Sequence, residues 1–222
     1  MTLFLSIIGI LLIFTLLFLA SYSLHLSIYV RAVCRLKTDK RAVALTFDDG
    51  CDAVQTPKIL DILRKNGVHA TFFLIGEKAA QCPDVVRRMV AEGHRVGIHT
   101  MRHESTFPLK STHKVMADLR ATRELLEQIC GEKIDLFRPP FGVTNPHIGL
   151  SVRRLGLKTV GWSIRSYDTN ARRTRSEVVQ RIERRLHSGA IILLHDNRPE
   201  SDLLLTKLLE MLKRYEYEIV TI

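Results

Sequence analysis

From residue 42 onward the sequence alternates short apolar runs with amphipathic stretches, and this alternation is the strongest constraint on its fold. The apolar runs are Ala42-Val43-Ala44-Leu45, then 70–76, 95–98, 136–137, 158–163, 190–194 and 217–222. Helices are predicted between them. The first opens at Thr56-Pro57, an N-cap followed by proline at N1, carries the stripe Ile59, Leu60, Ile62 and Leu63, and stops at Gly67. Others cover 83–92, 112–130, 146–155, 176–187 and 201–215. Wholly apolar strands belong to buried parallel sheets, and β and α in alternation put helices outside such a sheet. The fold class is therefore α/β. Six to seven parallel strands can close as a distorted (β/α) barrel or stay open, and the number of buried strands favours closure. No linker and no internal repeat divides the stretch.

The first 30 residues carry no Asp, Glu, Lys or Arg, and nearly every residue from Thr2 to Ala20 is apolar. A stretch of about 20 such residues suits a transmembrane helix, so residues 1–30 are expected to be a retained membrane anchor. A cleaved signal peptide would want a basic start and a small-x-small site. All 33 Lys and Arg follow, giving a net charge of +10. Arg31, Arg35, Lys37, Lys40 and Arg41 crowd a basic juxtamembrane segment, 31–41. It suits anionic lipid headgroups as a partner and, by the positive-inside rule, points toward the cytoplasmic face. No helix-turn-helix or RNA-binding motif accompanies the charge, so no nucleic-acid partner is expected. Cys34, Cys51, Cys82 and Cys130 lack CxxC spacing and make no disulfide framework.

Polar residues end the predicted strands: Asp48-Asp49, His99, Arg138, Asp168 and His195-Asp196. At the carboxyl ends of parallel strands such residues converge on one mouth. Neighbouring carboxylates on an extended chain point apart, and a turn at Gly50 would re-aim one of them. His99 and His103 are spaced i, i+4, which on a helical turn puts both imidazoles on one face. Two His and one Asp make a three-ligand set with open positions, the mark of a catalytic metal, zinc by default, though harder divalent ions accept it too.

Five ordered stretches carry a resemblance: Thr46-Phe-Asp-Asp-Gly50, His99-Thr-Met-Arg-His103, Arg138-Pro-Pro-Phe-Gly142, Trp162-Ser-Ile-Arg-Ser-Tyr-Asp168 and Leu193-Leu-His195. With them the chain resembles the NodB-homology polysaccharide deacetylases, carbohydrate esterase family 4, over residues 42 to 197, and residues 42–222 are expected to form that domain. The resemblance implies a divalent ion, zinc or else cobalt or a similar metal, on Asp49, His99 and His103. It implies Asp48 as general base, Arg138 pairing with Asp48 to keep it ionised, and His195 as general acid oriented by Asp168. It implies that the Phe141 N–H faces the oxyanion and that Leu193 lines the acyl pocket.

The chain departs from the family pattern at Arg165, where another Asp is frequent, at Thr169 in place of Trp, at Phe141 in place of Tyr, and at Cys51-Asp52 after the first motif. Loss of an aromatic wall removes a stacking surface. Arg165 adds a cation suited to a phosphate or an acidic sugar. The expected function is removal of N-acetyl or related N-acyl groups from amino sugars of a glycan or a lipid-linked saccharide. The alternative is a non-catalytic glycan-binding or scaffold protein that keeps the fold.

Overall fold

The computed structural model describes residues 2–222, with side chains at Phe4 and from residue 6 onward. In chain order the elements are α1 (Thr2–Ser21), β1 (Ala32–Val33), β2 (Ala42–Gly50), α2 (Gln55–Lys65), β3 (Thr71–Leu74), α3 (Gly76–Gln81), α4 (Pro83–Ala91), β4 (Arg95–Ile98), α5 (Thr112–Cys130) and β5 (Leu136–Phe137). They continue with α6 (Pro146–Leu155), β6 (Lys158–Val160), β7 (Ile164–Arg165), α7 (Arg175–Glu183), β8 (Ala190–His195), α8 (Ser201–Arg214) and β9 (Glu218–Ile219). One sheet runs in the order β1-β6-β5-β4-β3-β2-β8-β7, with β9 on β2, and its strand pairs are parallel. The sheet curls into an open, distorted barrel.

The strand expected at 158–163 is two. β6 lies beside β1, while β7 lies beyond β8 at the other edge. Residues 161–163 cross the seam: the Gly161 N–H donates to Val33 O at 2.9 Å and the Ser163 N–H to Ile191 O at 3.0 Å. Apolar periodicity cannot see such a crossing, because both halves are equally buried.

Period-two alternation sorts the strands into two cores. Val43, Leu45 and Phe47 face the helices, meeting Ile59, Leu60 and Leu63 of α2 and Leu205 and Leu208 of α8. Each such side chain, fully buried, stabilises by about 1.5–3 kcal/mol. Ala44 faces inward with Phe73, Leu136, Val160 and Ile191. Thr46 and Asp48 continue that inward row. Gly97 leaves room for the Phe73 ring, since a Cβ there would meet it at 2.7 Å.

The N-terminus corrects an expectation. Among the described residues no helix is long and apolar enough to cross a membrane, so the transmembrane anchor over residues 1–30 is not supported. The last turn of α1 is tied to the domain. Ala20 is buried, the Ser21 carbonyl accepts the Thr144 N–H at 2.9 Å, and the Tyr29 hydroxyl donates to Leu17 O at 3.1 Å. The expected membrane-anchored localisation, and the lipid partner that went with it, fall on the same finding.

Candidate active site

The mouth gathers the carboxyl ends of β2, β4, β5, β7 and β8. Asp48 and His195 are register partners on adjacent strands. Asp49 is re-aimed by its own left-handed backbone (φ 68°) and a register shift between Asp48 and Gly50, inside the strand rather than at a turn after it. Gly50 serves another need: a Cβ there would lie 2.4 Å from Asp196 Oδ2.

His99 and His103 also meet without a helix. They flank a loop in which Thr100 (φ 68°) and His103 (φ 54°) are left-handed, and the His103 N–H donates to Thr100 Oγ1 at 3.0 Å. The ring centroids are 4.7 Å apart. Among the described residues eight non-glycine residues have positive φ, and five of them (Asp49, Thr100, His103, Phe141 and Tyr167) stand at this mouth. Each costs of order 1–3 kcal/mol, a concentration of strain expected at a functional site.

Asp49 Oδ1 lies 3.5 Å from His99 Nε2 and 3.6 Å from His103 Nε2, and the three ligand atoms lie within 4.8 Å of one another. That carboxylate oxygen is buried with no hydrogen-bond partner among the described residues. His99 Nδ1 is 2.8 Å from the Arg138 carbonyl. A carbonyl only accepts, so the ring proton sits on Nδ1 and the Nε2 lone pair faces Asp49. Burial, and then the charge of His103, push the His99 imidazole well below its usual pKa. A lone pair and a carboxylate oxygen facing each other in a dry site call for a cation between them, so these residues fit a divalent metal.

Arg138 is fully buried. Its Nη1 donates to Asp48 Oδ1 at 2.7 Å and Thr46 Oγ1 at 2.8 Å, Nη2 to Gly161 O at 2.7 Å, and Nε to Val160 O at 3.2 Å. The guanidinium carbon stands 4.2 Å from the centre of the Phe73 ring. Burial pushes the Asp48 carboxyl up, with Arg138 pulling against it. The net direction is opposite to that expected from Arg138 alone, because desolvation of a buried carboxylate outweighs one paired cation here.

Asp168 grips His195 twice: Oδ2 accepts its N–H at 2.7 Å and Oδ1 lies 2.8 Å from Nδ1. The Nδ1 proton points at the carboxylate, leaving Nε2 toward the site, 4.0 Å from Asp49 Oδ2. Burial lowers the His195 pKa, but the Asp168 hydrogen bond and the charges of Asp168, Asp48 and Asp49 raise it above its usual value. Phe141 is half exposed with φ 59°, its ring 4.6 Å from that of His103. Leu193 is buried in β8, opposite Arg165 in β7. Arg165 is exposed, on the outer side of that edge.

Sequence reasoning missed several members. Thr46 holds Arg138 and shares the inward face of Asp48 two residues on, a signal the alternation carried. Ser166 Oγ donates to Asp168 Oδ1 at 2.9 Å, and Lys78 Nζ to Asp49 O at 2.9 Å. Asp196 is fully buried; its Oδ2 accepts the Thr56 hydroxyl at 2.6 Å, and burial pushes its pKa up to about 7. Thr56 thus serves Asp196 rather than capping α2, whose start is held by Asp52 Oδ1 accepting the Val54 and Gln55 N–H groups.

An open parallel α/β barrel with an Asp-His-His cluster and a His–Asp pair at one mouth is the architecture of a polysaccharide deacetylase domain. The chain belongs to that family: the polysaccharide deacetylase model matches residues 35–160, and the fold and relatives place it with the NodB-homology deacetylases of carbohydrate esterase family 4. It is 35% identical over 196 residues to the peptidoglycan-N-acetylglucosamine deacetylase PgdA of Listeria monocytogenes, covering 88% of this chain but 41% of that protein. It is 35% identical over 175 residues to a chitooligosaccharide deacetylase of Sinorhizobium fredii, covering 79% and 81% of the two chains. A family pseudoenzyme from Bacillus anthracis superposes with a TM-score of 0.79 at 26% identity, over 86% of this chain and 67% of that one.

Proposed function

We propose that the chain is a divalent-metal-dependent amide hydrolase that removes N-acetyl, or a related N-acyl group, from amino sugars of a glycan. The observation that carries this is the partnerless Asp49 Oδ1 between two imidazole nitrogens, flanked by the Asp48–Arg138 and His195–Asp168 pairs. Asp49, His99 and His103 would hold the ion, zinc first, with cobalt as the alternative. When bound, the ion supplies Lewis acidity toward an amide carbonyl and acidifies water.

Asp48 takes the proton of the attacking water, and its upward-shifted pKa brings it nearer the operating pH of a general base. Arg138 fixes its orientation. Water oxygen adds to the carbonyl carbon, and the Phe141 N–H steadies the oxygen that gains charge. His195 delivers a proton from Nε2 to the departing nitrogen, the C–N bond breaks, and carboxylate and amine leave. Asp168 keeps that imidazole protonated and aimed. Leu193 walls the acyl group.

The relatives point to peptidoglycan or chitooligosaccharide as the substrate class, since those are the glycans in their names. The pseudoenzyme neighbour keeps a non-catalytic glycan-binding reading in view. Acetate release decides between them. N-acetylglucosamine oligomers and peptidoglycan fragments are incubated with the protein, with and without zinc or cobalt, beside Asp48→Asn. Metal-dependent release lost in the variant supports the hydrolase; none from metal-loaded protein supports the binding module.

A further inference from the structure

Next to the His195–Asp168 pair stands a guanidinium cluster that the deacylation machinery does not use. Tyr167, immediately before Asp168, is left-handed with its ring partly exposed. The guanidinium carbons of Arg181, Arg165 and Arg173 lie 4.4, 5.0 and 5.8 Å from the centre of that ring. Arg181 is anchored by its Nε, which donates to Arg165 O at 3.0 Å.

Carboxylates near the cluster are engaged elsewhere. Glu177 accepts from the Thr174 N–H at 2.7 Å and the Thr174 hydroxyl at 2.9 Å, closing a capping box. Glu183 accepts the Tyr215 hydroxyl at 2.7 Å, and Glu200 pairs with Arg175. Among the described residues, Arg165, Arg173 and Arg181 therefore face one ring without a carboxylate in salt-bridge reach. Burial, and then the charges of Arg185, Arg173 and Arg165, hold the Arg181 guanidinium below its usual pKa. Cation–π contact with the Tyr167 ring works against that repulsion.

A cleft of about 480 Å³ shares Arg173 with the cluster and is lined also by Asp168, Arg175, Arg198, Glu200 and Lys207, while Arg165, Arg181 and Tyr167 stand outside it. Its volume suits a small ligand such as a sugar ring. Guanidinium groups are the side chains that grip phosphate and carboxylate in two-point contacts. Asp168 lines this cleft and also holds His195, so the cleft adjoins the mouth at that residue.

We propose that this cleft is an anion subsite that takes a phosphate or carboxylate carried by the glycan beside the amino sugar being deacylated. The proposal rests on the deacetylase reading of the neighbouring mouth.

The test is calorimetric binding to the full chain at low salt, which does not depend on turnover. Three ligands are compared: a neutral N-acetylglucosamine oligomer, the same oligomer with a terminal phosphate, and the same oligomer with a carboxylate-bearing ether. The expected result is binding of one or both charged oligomers about tenfold tighter than the neutral one. R173Q and R198Q should each cut that preference several-fold, while R154Q on α6 leaves it intact. A preference for one charged oligomer alone assigns the group. Equal or absent binding of all three, or a preference untouched in the R173Q/R198Q double variant, overturns the proposal. Loss of the preference with acetate release intact removes the subsite alone. A retained preference without acetate release removes the hydrolase reading alone.

Discussion

Arg138 Nη1 stands 2.7 Å from Asp48 Oδ1, and both side chains are buried in the centre of the barrel. Four of the five guanidinium N–H groups are answered, by Asp48, Thr46, Gly161 and Val160. Such a pair adds little net stability, but breaking it strands a charge. Arg138→Met is expected to destabilise the fold by about 3–5 kcal/mol, read by denaturant unfolding. The added Asp48→Asn change should recover part of that loss. Additive losses would show that the pair is not coupled.

The pH dependence should carry the mark of Asp168. In the proposed reaction His195 acts as acid only while protonated, so activity should be lost as pH rises through its pKa. Asp168 raises that pKa and so extends activity to higher pH. In Asp168→Asn the alkaline limb of kcat should move to lower pH, with KM little changed. An unmoved limb would place the titrating acid elsewhere.

Zinc affinity tests the ligand set apart from turnover. Equilibrium dialysis is expected to give one tightly held zinc per chain, removed by chelator. Asp49→Ala or His103→Ala should weaken binding by more than about tenfold. Full affinity in either variant would reject the assignment.

Gly50 and Asp196 make a steric prediction. Gly50→Ala puts a methyl group 2.4 Å from Asp196 Oδ2, an overpacking that should cost about 1–3 kcal/mol in thermal or denaturant unfolding. Asp196→Ala removes the obstacle, so the double variant should lose less than the sum of the single ones.

Asp196 also predicts a slope. Its carboxyl titrates near 7 when folded against a usual 3.8, so between those values the native state holds the extra proton. Stability should therefore fall as pH rises from about 4 to 7, by up to about 1.4 kcal/mol per unit for this one group. In metal-free protein, Asp196→Asn should remove that part of the slope.

Most helices and strands were readable because each carries its own period, but the short α3 and β1 were not. The expected 95–98, 112–130, 136–137 and 146–155 coincide with β4, α5, β5 and α6. What could not be read depends on partners far along the chain. Thr56 looked like a cap, and only the fold brings Asp196 to it. The spacing of His99 and His103 suggested a helical turn, yet two left-handed residues in a loop bring the rings together. Asp49 turns away from Asp48 through its own backbone, which a glycine rule assigns to the next residue. The apolar N-terminal run reads as a span from composition alone, and composition does not show its last turn bonded to Thr144. At the site, residue types were legible and most of their support was not: strand alternation put Thr46 on the face of Asp48, but Ser166 and Lys78 carry no signature beyond ordinary polarity.

The placement of β2 beside β8 reaches beyond geometry. Thr46 Oγ1 donates to Ile192 O across 146 positions of sequence, and Asp48 sits in register with His195. Bringing such distant segments together is among the slow steps of folding. The chain cannot assemble half a site early. A copy in which that ladder has not closed holds Asp48 and Asp49 without His195 beside them, so the candidate site is complete only once the strand pairing near the C-terminus has formed.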